Sequence, residues 1–371
     1  MPSSNNIEII SHASPHTIKK FELVEKYIKS WSQKLMQTSF CNGIIFIDCM
    51  CNSGVYKNDD GETVFGTSIR VANVLRDVAG TYPNKQVVLY FNDISEEKVI
   101  ELKRHLPLGP KSNFVINTSI GDGNELLKKI GPQLTADSKF HFFLFYDPYD
   151  AHIDWNALAP FFRNWGEVLI NHMISDPIRG ISQAKSEYAK QKYQETYMFE
   201  NIESLLPFGS DKNAYKKRLE YIISNLKGSE YRKYYIASYP FFNRNNAFVY
   251  DLVHCTSNIA GFDLYKNTAW SVFEGHSSLK DRHGQENQMV LDFDNGPTIK
   301  NNVDEYCYNI YDIADYLQNK FTTKSDVPLA DVWETLKTHP IFPSKYHRTE
   351  IKNILKNTYG AEIHRSTISF S

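Results

Sequence analysis

Three aspartates, each closing an apolar run, are the first residues in this sequence that could do chemistry. Asp48 ends the run Gly43-Ile44-Ile45-Phe46-Ile47, Asp93 follows Gln86–Asn92, and Asp147 follows His141–Tyr146. A carboxylate in such a place can accept hydrogen bonds from ribose hydroxyls, from an amino group or from the start of a helix. Beyond Asp48 the chain reads Cys49-Met50-Cys51-Asn52-Ser53-Gly54-Val55-Tyr56. Small Cys49, Cys51 and Ser53 leave room, Gly54 accepts positive φ, and Asn52 tolerates left-handed backbone better than most residues. An adenosine-bearing cofactor needs such a bend where its polar groups approach the chain, although a tight strand–helix turn without a ligand would use the same residue types. Asp122, in Gly121-Asp122-Gly123, can accept from an adenine amino group or cap the helix that begins near Asn124. The candidate cofactor contacts are therefore Asp48, Cys49, Asn52, Ser53, Gly54, Tyr56, Asp93 and Asp122.

Asp147-Pro148-Tyr149 is the catalytic candidate. It resembles a shortened form of the Asp-Pro-Pro-Tyr signature of amino-methyltransferases. That resemblance implies that the carboxylate and a backbone carbonyl accept from a target amine while the ring stacks on a flat acceptor. A strand ending in a proline turn would look the same. His152 and Trp155 crowd the same loop and could shape the acceptor pocket, beside Asp150 and Asp154. No metal is expected: Cys49-x-Cys51 lacks a second ligand pair, and His12, His16, His141 and His172 are scattered. The five cysteines are an odd, dispersed set, which argues against a disulfide framework and for a reducing, cytoplasmic address.

Positioning these residues falls to alternating elements. Phe21, Val24, Ile28, Trp31 and Leu35 lay one apolar stripe along a helix over 16–38. Strands are expected at 43–48, 86–92, 113–117, 141–146 and 167–171, with helices at 67–80, 95–105, 124–130 and 154–164 between them. Continuous apolar strands separated by helices predict a parallel sheet covered on both faces, with ligands outside the carboxyl ends of its strands. A helical insertion is expected at 181–228, with a turn at Leu205–Gly209. Two closely linked strands, 234–239 and 247–255, suggest an antiparallel hairpin at the sheet edge. Residues 276–325 read as a linker with one helix near 304–319. Residues 326–371 read as a winged-helix-like unit of helix, helix and hairpin.

Hydrophobic residues make up 42% and charged residues 23% of the 371, and the net charge of -2 advertises neither nucleic acid nor an anionic membrane. No stretch approaches the ~20 apolar residues of a membrane helix, and the start lacks the apolar core of a secretion signal. A Gly-x-x-x-x-Gly-Lys-Ser/Thr loop is absent, which removes the usual basis for nucleotide hydrolysis.

Taken as a set, these motifs resemble the three-Cys-motif partner proteins, bacterial and phage proteins with a methyltransferase-like domain. The similarity rests on His16-Thr17-Ile18-Lys19 with Tyr27 and Trp31, on Phe46-Ile47-Asp48 through Gly54-Val55-Tyr56, and on Tyr146–Tyr149 with Trp155 and Val168–Asn171. It covers residues 1–275. Where the family's loops carry more glycine, this chain has Cys49 and Asn52, and it has Asp150 after the Asp-Pro-aromatic triplet. The resemblance implies a Rossmann-like class I methyltransferase sheet, S-adenosylmethionine as cofactor, and an amino group of nucleic acid or of a partner protein as acceptor. The alternative is a non-catalytic interaction module with a DNA- or protein-binding winged-helix tail. Neither reading fixes an oligomeric state.

Overall fold

The computed structural model describes residues 9–109, 112–136, 139–162, 166–174, 187–199, 212–228, 233–280, 290–292, 296–298 and 307–371. In chain order the first half runs β1 (Ser11–His12), α1 (Pro15–Met36), β2 (Gly43–Asp48), β3 (Val55–Lys57), β4 (Thr63–Phe65), α2 (Thr67–Thr81), β5 (Gln86–Asp93), α3 (Glu96–His105), β6 (Phe114–Ile120), α4 (Gly123–Leu134), β7 (Phe140–Tyr146), α5 (Trp155–Phe162) and β8 (Gly166–His172). The second half runs α6 (Glu187–Tyr197), α7 (Lys212–Leu226), β9 (Tyr235–Phe242), β10 (Phe248–Thr256), α8 (Ile259–Val272), β11 (Val290–Asp292), β12 (Gly296–Thr298), α9 (Ile310–Phe321), β13 (Val327–Pro328), α10 (Leu329–Lys337), α11 (Arg348–Tyr359), β14 (Glu362–Ile363) and β15 (Thr367–Ser369).

Seven strands form the main sheet in the order β6-β5-β2-β7-β8-β10-β9. Neighbours from β6 to β8 pair in parallel, and β10 runs antiparallel to both β8 and β9. Counted along the chain as strands one to seven, the order is 3-2-1-4-5-7-6 with the seventh reversed. That is the Rossmann-like sheet of class I methyltransferases, and the edge hairpin expected from sequence is its β9–β10 pair. The order turns around at β2 and β7, where consecutive crossovers leave the sheet on opposite faces and open a crevice above the strand ends.

Side-chain alternation divides the sheet between two cores. Ile44, Phe46, Leu89, Phe91, Phe143 and Phe145 pack against α1, α2 and α8. Ile45, Ile47, Phe142, Leu144 and Tyr146 pack against α4, α5 and α7. Continuing the count, Asp48, Asp93 and Asp147 each stand two residues beyond a phenylalanine of the first core, so all three share the α1 side of the rim. On that side a buried network ties α1 to the sheet: Tyr27 donates to Glu167, whose carboxylate also meets His254 Nε2 at 2.7 Å.

The interval between the first bend and the second main strand supplies β3 and β4 to a small sheet that sequence reasoning missed, in which β3 lies between β4 and β1 from the start of the chain. Its strands are two or three residues long, too short for an alternation signal. Among the described residues, the insertion expected at 181–228 carries α6 and α7, and the turn expected at Leu205–Gly209 lies outside them. The helix expected near 304–319 is α9, six residues late at its start. It packs on the tail rather than bridging to it: Ile313, Ala314 and Leu317 share one buried cluster with Val332, Leu336, Ile351 and Leu355.

Candidate functional site

The strand ends are knitted into one rim by backbone and amide contacts. Asn92 Nδ2 donates to the carbonyls of Cys49 (3.0 Å) and Gly121 (2.8 Å), joining the bends after β2, β5 and β6. Tyr146, the last residue of β7, donates to Asn124 Oδ1 at 2.9 Å and accepts from the Asp154 amide at 3.2 Å. Gly123 lets the β2 and β6 bends close on each other, since a Cβ there would stand 2.5 Å from the Cys49 carbonyl oxygen. Gly121, at φ 148°, has open space where a side chain would be.

Above this rim lies a cavity of about 600 Å³. Its floor and sides come from four strand ends: Cys49 and Met50, Asp93 and Ile94, Gly121 to Glu125, and Pro148 to Asp150. Helix α6 forms the remaining wall with Tyr188, Gln191, Lys192 and Glu195. That wall is fastened by Lys192 on Asp150 and by His152 Nε2 against Glu195 at 3.1 Å. The volume lies within the range of small-molecule and cofactor sites.

Asp93 is the most heavily used carboxylate on the rim. It is 2% exposed, accepts from the amides of Ser95 (3.0 Å) and Asn52 (2.9 Å), and takes the Tyr149 hydroxyl at 2.9 Å. The Tyr149 ring, 60% exposed, hangs over the cavity with Lys98 Nζ 5.1 Å from its centroid. Burial and the Asp93 carboxylate push the Tyr149 hydroxyl far above its ordinary value, so it stays protonated and donating. Asp122 is exposed and accepts from the Glu125 amide at 3.0 Å, capping α4.

Most of the other expected cofactor contacts lie elsewhere. Asp48 is buried, accepts from the Ser68 hydroxyl at 3.0 Å, and does not line the cavity. Burial first, and the Asp147 charge next, raise its carboxyl to about 7. Asn52, at φ 56°, spends its side chain on the Ser53 amide (2.7 Å) and on Ser11 (3.3 Å). Ser53 donates to the Val55 carbonyl at 2.9 Å. Gly54 is needed for packing: at φ 68°, a Cβ would meet Leu102 at 2.7 Å and Ile69 at 2.9 Å. Tyr56 packs against Phe21 on the α1 side, ring centres 4.9 Å apart and planes tilted by 48°. The bend over 52–56 is thus satisfied within the protein, while Cys49 alone of its expected contacts faces the cavity.

The expected catalytic triplet divides across the rim. Pro148 and Tyr149 line the cavity, but Asp147 follows strand alternation to the opposite side. There Lys20 Nζ donates to it at 2.6 Å and Asn171 Nδ2 at 2.5 Å. Lys20 is 7% exposed and also lies over the Tyr250 ring at 5.2 Å. Of the two residues expected to shape an acceptor pocket, His152 lines the cavity and Trp155 does not. Trp155 is buried and donates to the Thr196 carbonyl at 2.8 Å, anchoring the end of α6.

Ile94 was not anticipated, although an apolar residue directly after a strand-ending aspartate was a readable signal; it is 70% exposed and faces the cavity. Lys20 was readable too, because it lies four residues before Val24 on the buried stripe of α1 and so needed a partner. The contribution of α6 had no signal in its own segment.

No family model matches the chain, and no curated protein matches it. Among solved structures it is similar to WbdD, a bifunctional kinase-methyltransferase, at 11% identity over 69% of this chain and 45% of that one, with a TM-score of 0.34. It is similar to loganic acid methyltransferase with SAH at 10% identity, over 70% of this chain and 82% of that one, TM-score 0.32. Human methyltransferase-like protein 13 in complex with SAH is similar at 8% identity, over 65% and 82%, TM-score 0.32. The chain spans less than half the length of WbdD. At these scores the fold rests on the strand order and pairing themselves.

Proposed function

We propose that the cavity binds S-adenosylmethionine and that the chain is a methyltransferase-like protein of the three-Cys-motif partner kind. The observation that carries this reading is the placement of Asp93 and Ile94 at the end of the second strand, facing Gly121-Asp122-Gly123 across a cavity of about 600 Å³. An adenosine presents two ribose hydroxyls, an exocyclic amine and a flat apolar base. Asp93 supplies acceptors for the first, Asp122 for the second, and Ile94 a surface for the third. The residues fit the group in charge as well. Asp93, Asp122, Glu125, Asp150, Asp154 and Glu195 line the cavity; Lys128 pairs with Glu125 and Asp154 and Lys192 with Asp150, and the acidic excess that remains suits a ligand carrying a sulfonium and an ammonium. Rotation of Tyr149 frees Asp93 of its one side-chain donor among these contacts, while the Asn52 and Ser95 amides continue to hold one carboxylate oxygen each.

When bound, the cofactor would supply a methyl group on a positively charged sulfur, open to attack by a lone pair. The acceptor in this reading is an amino group of a nucleic acid or a partner protein, positioned by Pro148 and Tyr149. Asp147 joins them only if Lys20 and Asn171 release it. A second reading, the non-catalytic module, is favoured by that same Lys20–Asp147–Asn171 contact, which leaves the carboxylate already satisfied.

Calorimetric titration of the full chain with S-adenosylmethionine tests the proposal. It predicts saturable binding that Asp93→Ala and Ile94→Asp each weaken at least tenfold. An absence of heat and of thermal shift at millimolar cofactor refutes it. Binding without transfer of a labelled methyl group to duplex DNA or protein selects the second reading.

A further inference from the structure

The last 62 residues described carry α9, β13, α10, α11, β14 and β15, with β15 between β13 and β14. Helix–strand–helix–helix–hairpin is the arrangement in which a third helix can be offered to a nucleic-acid groove with a β-turn beside it. The inner side of this unit is clamped to the main domain through the α10–α11 connection. Lys266 of α8, fully buried, donates from Nζ to the carbonyls of Leu336 (2.7 Å), Lys337 (3.0 Å), His339 (2.7 Å) and Phe342 (2.9 Å). Ser344 donates its hydroxyl to Asp263 at 2.6 Å, and Trp270 Nε1 donates to the Ile341 carbonyl at 3.0 Å. With Ile351, Ile354 and Leu355 buried beneath it, α11 turns its other face outward, and the β14–β15 turn is exposed beside it.

That outward surface is basic in a chain of net charge -2. Lys345, Lys352, Lys356 and Arg365 have no ion-pair partner among the described residues, whereas Lys337 on the neighbouring helix pairs with Glu334. The acidic residues in the same stretch are Glu350, held by His347 at 3.3 Å, and Glu362; Asp315 of α9 adds a carboxylate at the far end of α11, where it accepts from the Tyr359 hydroxyl at 3.4 Å. Arg348 is not free to join the surface: it donates to the Ser344 carbonyl at 2.6 Å and lies 5.0 Å from the centre of the Trp333 ring. The patch continues onto the main domain, where Lys34 near the end of α1 feels the Lys345 charge; burial and that charge hold Lys34 below its ordinary value. Asn353 and Asn357, four residues apart, are exposed on α11 between these cations.

We propose that this face binds duplex DNA, with α11 in the major groove, the β14–β15 turn on the adjoining backbone, and Lys345, Lys352, Lys356 and Arg365 on phosphates. Cations on a rigidly held helix (Lys352, Lys356) and on the segments flanking it (Lys345, Arg365) match the spaced charges of a duplex backbone. Asparagine on a groove-bound helix can pair with adenine through its amide, so Asn353 and Asn357 are placed to discriminate bases. An A-form RNA duplex does not offer the same site, because its major groove is too deep and narrow for the helix. The inference stands independently of the cofactor reading.

The test is fluorescence anisotropy of a labelled duplex of about 20 base pairs with the full chain and no cofactor, from about 50 to 200 mM salt. Wild-type protein is expected to bind with steep salt dependence. Combined Lys352→Ala, Lys356→Ala and Arg365→Ala should weaken binding at low salt by more than tenfold and reduce the log–log salt slope by about 2.7, at about 0.9 per lost phosphate contact. Arg365→Glu alone, in an exposed turn, gives the same direction if the triple variant is unstable. Asn353→Ala should leave the slope unchanged and relax sequence preference. No DNA binding at the lowest salt, binding unchanged in both cation variants, or equal affinity for an RNA duplex of the same length overturns the proposal. Because no cofactor is present, a failed cofactor titration leaves this outcome untouched.

Discussion

Replacing Tyr149 by phenylalanine removes a hydroxyl that donates to Asp93 at 2.9 Å and leaves the ring in place. If Asp93 is where ribose hydroxyls bind, the tyrosine competes with the ligand for that carboxylate. A hydrogen bond to a charged acceptor contributes about 1.5–3 kcal/mol. The lower end applies to Tyr149, because its ring is 60% exposed and water replaces part of the lost contact. With about 1.4 kcal/mol per tenfold in affinity, Tyr149→Phe should bind S-adenosylmethionine about tenfold more tightly. Isothermal titration of wild type, Tyr149→Phe and Asp93→Asn measures this, with melting curves to confirm intact folds. Weaker binding by Tyr149→Phe would mean the hydroxyl holds the ligand rather than displacing it. Unchanged binding in both variants would remove Asp93 from the site.

Three further outcomes follow from the same geometry. Gly123→Ala forces a Cβ to within 2.5 Å of the Cys49 carbonyl, so the bends must separate; overpacking of this kind costs about 1–3 kcal/mol in urea unfolding, and cofactor binding should fall with it. Lys20→Met leaves Asp147 as an uncompensated, largely buried charge and should destabilise by about 3–5 kcal/mol, with Lys20→Met/Asp147→Asn recovering much of the loss; equal losses in the single and double variants would show that the pair contributes through packing alone. Asp48 is raised to about 7 in the folded chain, so between about pH 4 and 7 the folded state holds a proton that the unfolded state has released. Stability from this group therefore falls as pH rises, by about 1.4 kcal/mol per unit, and levels off above pH 7. Asp48→Asn should lack that slope, so the stability of the variant relative to wild type should increase from pH 5 to pH 7.5, and parallel curves would refute the assignment.

The sheet was legible because its central strands are apolar on both faces and separated by amphipathic helices, and the seven expected strands appear in the main sheet. Less legible was the side to which each rim residue turns. Counting in twos from Phe46, Phe91 and Phe145 puts Asp48, Asp93 and Asp147 on the α1 side together. The same count sends Cys49, Ile94 and Pro148 toward the other core, where the cavity opens. Asp93 lines the cavity as well, with the Tyr149 hydroxyl laid over the rim onto its carboxylate. Spacing alone treated the aspartates as one equivalent set. The Asn52–Tyr56 bend could be read two ways for a different reason: residues that suit close approach by a ligand also suit a turn that closes on itself, and Ser11, Leu102 and Ile69 pack against this one. The α6 wall was out of reach, because Lys192 and Glu195 meet Asp150 and His152 across more than 40 residues of sequence.

A crystal structure of the full chain grown with S-adenosylhomocysteine tests the central claim most directly. The expected result is a nucleoside in the cavity, with its ribose hydroxyls on Asp93, its base against Ile94, and Tyr149 rotated off the carboxylate. A cavity without ligand at millimolar concentration, with the Tyr149–Asp93 bond unchanged, would contradict it.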